Sequence, residues 1–309
     1  MRVANPIYDS VFKHLMEDPE IASGLIARLI GHPIFNLRPL PQEIQHAQGV
    51  QVDGAAIQTY RLDFAAEIEL EDGCRKKVLI EMQKAHEPDA IARFRSYLSR
   101  HYDVRARKLP EPQAEILPII AIYFLGFRLS QKLPAVVRVR RAYEDAETGK
   151  IIADVRSDFL EALTHDAVAV QIPDIGDSTA TELNRALVLF NQTHRVKDDA
   201  HFLEITDDVL RATDVLLQLM ARRLLVAASD AKTIQQMAVE DEVTDLYGRV
   251  VEAERIAEQS IAERDAERAA KEAERAAKEA ERVAKEQALS QLESMKETLR
   301  KLGIDPLGP

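Results

Sequence analysis

Tryptophan is absent from this chain of 309 residues, cysteine occurs once, and aromatic residues make up 5%. The single cysteine, Cys74, excludes an intramolecular disulfide framework and a cysteine-rich zinc site, and it fits a reducing compartment. The longest apolar run, residues 116 to 127, is too short to span a bilayer as a helix. The opening residues MRVANPIYDS lack the apolar core of a signal peptide, so a soluble, cytoplasmic protein with no membrane partner is expected. Catalytic signatures are missing too. There is no Walker A loop, no Rossmann glycine fingerprint and no HExxH pattern, and no GxSxG elbow. Readings as a nucleotide-dependent motor, a zinc hydrolase or a serine hydrolase are therefore poor, and no nucleotide cofactor is expected. Basic charge is also in deficit: the net charge of −11 argues against a generally basic nucleic-acid binder, although a local basic cleft remains compatible with it.

What is present starts with a hydrophobic fraction of 46%, enough for a real core, and a charged fraction of 30%, high enough that some segment must be charge-dense. Asn5-Pro6 reads as a helix start, Asn as N-cap and Pro at the first helical position. A second helix is expected from Pro19 to about Ile30, stopping at Gly31, and residues 33 to 55 read as irregular. A helix from about Pro88 to Arg107 precedes a buried strand over Ile116 to Leu125. A strand pair is expected near Val136 to Tyr143 and Lys150 to Val155, turning near Gly149, and a short strand at Ala167 to Ile172. From Ser178 to Ser229 the periodicity is helical. Boundaries are placed at 1–175 for an αβ core, 176–244 for a helical region, 245–302 for a long charged helix and 303–309 for a tail. That last helix carries a seven-residue repeat with Glu267–Lys271, Glu274–Lys278 and Glu281–Lys285 four apart in the favourable order. It would extend roughly 80–90 Å and end at Gly303 and Pro306. Its middle seam is alanine, which buries little area. A lone charged helix and a coiled coil anchored at its ends both stay open, and with the latter a homo-oligomer.

The informative stretch is YRLDFAAEIELEDGCRKKVLIEMQK, residues 60 to 84. Even positions from Tyr60 to Leu70 are apolar, and odd positions include Arg61, Asp63, Glu67 and Glu69. This is the period of a half-buried strand. A second run alternates through Val78, Ile80 and Met82, so the segment predicts a β-hairpin. A two-residue turn at Asp72-Gly73 would put Asp63 on one face with Met82. A three-residue loop, Glu71-Asp72-Gly73 with Gly73 left-handed, instead sets Leu70 against Cys74. Asp63 then lies opposite Glu81, Gln83 shares their face, and the apolar even positions fall together as burial requires. Opposed carboxylates either raise one pKa or recruit a cation. A Mg²⁺ ion held by Asp63, Glu81 and the Met82 carbonyl is the economical answer, and such a metal polarises a phosphodiester. The plain alternative is an acidic, solvated sheet face.

At these residues the chain resembles the PD-(D/E)XK nuclease superfamily, and within it the recombination-promoting nuclease and transposase-like branch. The shared pattern is Asn5-Pro6, Asp9, Phe12 and Lys13, then Arg61, Asp63, Gly73, Ile80, Glu81 and Gln83, then Arg93 and Tyr97. It covers roughly residues 5 to 127 and extends at most to about 175. The resemblance implies a restriction-endonuclease-like α/β fold, a mixed sheet flanked by helices, here followed by a helical region and the long C-terminal helix. It implies Mg²⁺-dependent hydrolysis of DNA phosphodiesters by a metal-activated water, in recombination or mobile-element biology, and DNA rather than RNA rests on it alone. Gln83 stands where most of the superfamily has lysine. Glutamine brings no charge, yet it can orient a water, and the resembled branch commonly carries it. Lys84 falls on the opposite face, and Lys77 lies two turns of the pleat away. The resemblance also brings Asp9 towards the metal cleft; the plain reading of Asp9 and Lys13 is an i,i+4 ion pair.

Two acid-poor stretches could hold DNA. Residues 93 to 108 carry Arg93, Arg95, Arg100, Arg105, Arg107 and Lys108; residues 127 to 141 carry Arg128, Lys132, Arg138, Arg140 and Arg141. Arginine–phosphate contacts would position a duplex without reading its sequence. The DNA-contacting set is taken as Lys13, Arg93, Arg95, Tyr97 and Arg100. The expectation is thus a Mg²⁺-dependent DNA endonuclease. The alternatives are a nuclease-like nucleic-acid-binding and assembly module with little or no activity, and a structural protein built around the C-terminal helix.

Overall fold

A computed structural model describes residues 1–40, 43–44, 60–61, 63–85, 90–102, 116–153, 155, 157–210 and 212–301. In chain order the strands and helices are β1 (Arg2–Ala4), α1 (Asp9–Met16), α2 (Pro19–Ile30), β2 (Ile34–Pro39), β3 (Glu43–Ile44), β4 (Tyr60–Arg61), β5 (Phe64–Leu70) and β6 (Arg75–Gln83). There follow α3 (Ala90–Tyr102), β7 (Ile119–Leu125), β8 (Val136–Val139), β9 (Tyr143–Glu144), β10 (Ile151–Ile152), α4 (Asp158–Leu163) and β11 (His165–Gln171). The remainder is α5 (Glu182–Leu187), β12 (Arg195–Val196), β13 (Asp199–Glu204), α6 (Asp207–Leu210), α7 (Val215–Ala227) and α8 (Ala231–Lys301). The chain divides into two compact units, residues 1–241 and 242–309.

The first unit is built on a mixed six-stranded sheet in the order β2-β5-β6-β7-β11-β8. The neighbours of β7 run parallel to it and the outer pairings are antiparallel. β7, IIAIYFL, is central and almost wholly buried, as expected of a strand covered on both faces. One face packs α1, α2, α5 and α7 over Phe64, Ala66, Ile68, Val78 and Ile80; the other is covered by Phe94 and Leu98 of α3 over Ala65, Leu79, Ile119 and Ala121. The face expected to be wet is therefore partly sealed, because α3 brings apolar residues to it. Phe12, Phe124 and Phe190 meet with ring centroids 5.1–6.4 Å apart and seat α1 over the end of β7. Asp214 caps α7 and binds Arg28 and Arg185 at 2.8 Å, tying α2, α5 and α7 together.

The hairpin has the expected register. Leu70 N–H donates to the Cys74 carbonyl at 2.9 Å, Gly73 has φ +77, and Phe64 pairs with Ile80. α2 runs from Pro19 to Ile30 as expected and stops at Gly31, left-handed at φ +74, with Asp18 capping its first turn. Elsewhere the structure differs from expectation. α1 begins at Asp9, not at Pro6, and its N-cap is Tyr8. Asn5 is buried instead and trades amide hydrogen bonds with Gln192. Residues 34–39, expected to be irregular, form an edge strand whose last residue is Pro39, a position where a missing N–H is tolerated. Asp63 is a bend between β4 and β5, not a residue of one long strand. β8 pairs with β11, leaving only β9 and β10 as the hairpin around Gly149. The segment 178–229 is not all helix: β12 and β13 form a three-stranded sheet with β1.

In the second unit every residue from 252 to 298 is exposed. The expected pairs form at Glu267–Lys271 and Glu274–Lys278, whereas Arg282 takes Glu279 in place of the expected Glu281–Lys285 pair. The expected helix stop at Gly303 and Pro306 lies outside the described residues.

Two glycines are required near the hairpin. A Cβ on Gly73 would meet nothing within 4 Å, so Gly73→Ala pays only for its left-handed backbone, about 1 kcal/mol. A Cβ on Gly126 would sit 2.1 Å from the Lys84 carbonyl oxygen, where the backbone itself must move. Urea unfolding is expected to show Gly126→Ala as the more destabilising change, by at least about 1 kcal/mol beyond Gly73→Ala.

Candidate active site

The β5–β6 ladder continued by one residue sets Asp63 opposite Glu81, at the carboxyl end of β6. Asp63, Glu81 and Gln83 are 6%, 9% and 9% exposed, values rare for such residues unless their polar atoms are engaged. Asp63 Oδ2 accepts the Met82 N–H at 2.5 Å. Its Oδ1 lies 3.2 Å from Lys13 Nζ, which also binds Asp9 Oδ2 at 2.5 Å. α1 thus delivers an acid and a base one turn apart onto the end of the hairpin. Gln83 donates through Nε2 to the Ala85 carbonyl at 3.0 Å. Met82 turns its side chain into the larger core. Lys77 N–H and Gln83 C=O both bond towards β7. By strand alternation the Met82 carbonyl then faces the β5 side, where Asp63 is.

The charge pattern is unusual. Burial, then the Glu81 charge, then a hydrogen bond with Asp9 and the Asp9 charge, raise the Asp63 pKa well above the carboxylate range, with Lys13 opposing. Tyr123, beside Glu81 on β7, is likewise raised by burial and by that carboxylate. The Tyr123 ring lies 4.0 Å from that of Phe94, which closes the site from the α3 side. The donors present are hard oxygens: two opposed carboxylates and one carbonyl on their side, a set that suits Mg²⁺ with its remaining positions left to water and substrate. Among the described residues no group of three or more His, Cys, Asp or Glu side chains is arranged to hold a metal.

Of the expected site residues, the structure joins Asp9, Lys13 and Asp63 and sets Glu81 opposite Asp63, while Gln83 lies two residues further along β6. Arg95 is exposed on α3; Arg93, Tyr97 and Arg100 belong to α3, but their side chains lie outside the described residues, as do Arg105, Arg107 and Lys108. Lys13 is only 16% exposed and is held between Asp9 and Asp63. His101 is pushed down to about 4 by burial and then by Lys77, and carries no charge at neutral pH. The stretch 127–141 adds little to this site: Arg128 binds Asp174, Arg141 binds Glu161 and Asp166, and Arg138 and Arg140 lie beside Lys76 at the opposite end of the sheet from Glu81.

Sequence reasoning missed the supports. Glu240 on α8 accepts the N–H groups of Asp9 and Ser10 at 2.8 and 2.9 Å, capping α1 with a distant carboxylate. Next to it, Asp241 accepts from the Tyr8 hydroxyl, lies 3.0 Å from His201 Nε2 and pairs with Lys84. Lys84 also lies 3.7 Å over the Tyr8 ring, on the opposite face from Glu81 as expected. The only local hint was an acidic cluster at residues 240–245.

The chain matches no family model, no curated protein and no solved structure. Among the described residues no helix is long and apolar enough to cross a membrane.

The raised Asp63 pKa has a definite sign. An unfolded aspartate ionises in the ordinary range; the folded one holds its proton to higher pH. It therefore contributes stability below the ordinary range, and this is lost as pH rises through the folded value. In metal-free buffer Asp63→Asn is expected to be more stable than wild type at pH 8, with the gap closing on acidification. Denaturant midpoints at several pH values check this.

Proposed function

We propose that the chain hydrolyses nucleic-acid phosphodiester bonds, in DNA, at the Asp63–Glu81–Gln83 end of the hairpin. The observation that carries the reading is the opposition of two buried carboxylates by the strand register, with Lys13 and Asp9 brought to the same point by α1. Burying several carboxylates together costs stability, and such costs concentrate where chemistry needs them. The motif resemblance supplies the reaction class.

Asp63, Glu81 and the Met82 carbonyl would hold Mg²⁺, which supplies charge stabilisation at the phosphate and lowers the pKa of a bound water. The chain's own residues do the rest. Lys13, which pairs with Asp63, takes the electrostatic part that Gln83, being neutral, leaves empty. Gln83, fixed at the strand exit by Ala85, orients water through its amide. Asp9 holds Lys13 in place and shares a proton with Asp63. Phe94 and Tyr123 exclude solvent from the Glu81 side. Arg95, with Arg93, Tyr97 and Arg100 of the same helix, positions phosphates outside the site.

A second reading, a nucleic-acid-binding module without turnover, is favoured by one observation: Lys13 already neutralises Asp63. Incubation with supercoiled plasmid separates the two. The nuclease reading expects nicking that requires Mg²⁺ or Mn²⁺, is abolished by EDTA, and falls more than about a hundredfold in Asp63→Ala and Glu81→Ala. Lys13→Met is expected to slow cleavage while DNA affinity is kept. Arg95→Glu is expected to weaken DNA binding at all sequences and lower the salt slope by about 1. DNA affinity indifferent to metal, with no cleavage by folded protein, would move the assignment to the binding module.

A further inference from the structure

At the other end of the sheet, away from Glu81, lies a cavity of about 250 Å³ that the reading above does not use. Its floor is where β6 begins and where β8 and β11 pair. Among the described residues, four cations line it, Lys76, Arg138, Arg140 and Arg141, against two carboxylates, Glu161 and Asp166. Both carboxylates are taken by Arg141, at 2.7 and 3.1 Å. Among the described residues Lys76, Arg138 and Arg140 form no salt bridge with a carboxylate, and Lys76 has the longer-range charge of Asp166, which Arg141 already holds. Two residues apart on an extended segment, Arg138 and Arg140 fall on one side. Arg138 donates to the Leu29 and Arg28 carbonyls at 2.6 and 2.9 Å, and Arg140 to the Ile30 carbonyl at 3.1 Å. These bonds satisfy the end of α2 and offset two full positive charges only with the partial charge of a helix terminus. The guanidinium of Arg138 is held below its ordinary pKa by burial and then by the charge of Arg140.

The opposite wall is apolar and unfilled. Ile151 and Ile152 of β10 and Val155 beyond it line the same cavity, yet they are 61%, 42% and 60% exposed. Arg141 and the Tyr143–Glu161 hydrogen bond of 2.8 Å brace the excursion that carries them. Among the described residues, cations with no salt bridge of their own thus face exposed aliphatic side chains across a braced cavity, in a chain whose net charge is −11. A free inorganic ion would leave the aliphatic wall wet, and an uncharged apolar molecule would leave the cations uncompensated.

We propose that this cavity binds a small amphipathic organic anion, its phosphate or carboxylate head on Lys76, Arg138 and Arg140 and its apolar body against Ile151, Ile152 and Val155. The site is independent of the nuclease reading.

Isothermal titration of the full chain with octyl phosphate and with octanoate tests it, using 1-octanol and inorganic phosphate as half-ligands. The expected result is saturable binding of one equivalent of at least one amphiphile, with each half-ligand at least tenfold weaker. Tighter octyl phosphate assigns a phosphomonoester head and tighter octanoate a carboxylate. Lys76→Glu and Ile152→Ser should each weaken binding at least tenfold, in proteins whose circular dichroism and unfolding midpoint without ligand match wild type. If Lys76→Glu does not fold, Arg140→Gln takes its place. Absence of saturable binding to wild type, equal binding of inorganic phosphate or octanol, or binding unchanged by either substitution would overturn the proposal.

Discussion

The structure turns on a three-residue reversal. Glu71, Asp72 and Gly73 let the chain fold back so that Leu70 meets Cys74, and every later pairing in the β5–β6 ladder inherits that register. Removing one loop residue would exchange the faces of one strand relative to the other. Either Met82 would leave the core or Asp63 would leave Glu81. A left-handed glycine with open space around it makes the longer loop inexpensive, and the apolar even positions enforce it. The acid pair is thus a by-product of burying Phe64, Ile68, Val78 and Ile80 on the same side.

The rest of the first unit manages the electrostatic cost of that pair. α1 is held by Phe12 in the aromatic cluster and by the Glu240 carboxylate at its N-terminus, and it brings Lys13 to the two acids on either side of it. α3 covers the Glu81 face with Phe94 and Leu98. The outcome is a buried pair of acids, Asp63 and Glu81, with one lysine bridging Asp63 to the half-exposed Asp9. Burial and the neighbouring carboxylates hold the Asp63 pKa well above the ordinary range.

Much of this was legible because it is local. Alternation, the Glu71-Asp72-Gly73 loop, Pro19 and Gly31 act over a few residues, and they gave the hairpin, α2 and the Asp63–Glu81 opposition. The covering of the polar face was not legible, because Ala65 and Leu79 show their burial only once Phe94 and Leu98 arrive from α3. Nor was the β1–β13 pairing, which joins Arg2–Ala4 to residues 202–204 with nothing nearby in sequence to announce it. β2 was hidden by Pro33 and Pro39, which an edge strand accommodates. The start of α1 was misplaced because Asn5-Pro6 has the chemistry of a cap, while the buried amide of Asn5 is spent on Gln192. Glu240 and Asp241 read as ordinary members of a charged helix, and only the tertiary fold shows them anchoring α1 and Lys84.

The central claim is that the hairpin register builds a divalent-cation site. Mn²⁺ binding followed by electron paramagnetic resonance tests it most directly, in wild type, Asp63→Asn and Glu81→Gln. The account predicts a bound Mn²⁺ that Mg²⁺ displaces and that either substitution removes while the fold is kept. Folded wild type that binds no Mn²⁺, or binding that survives both substitutions, would contradict it.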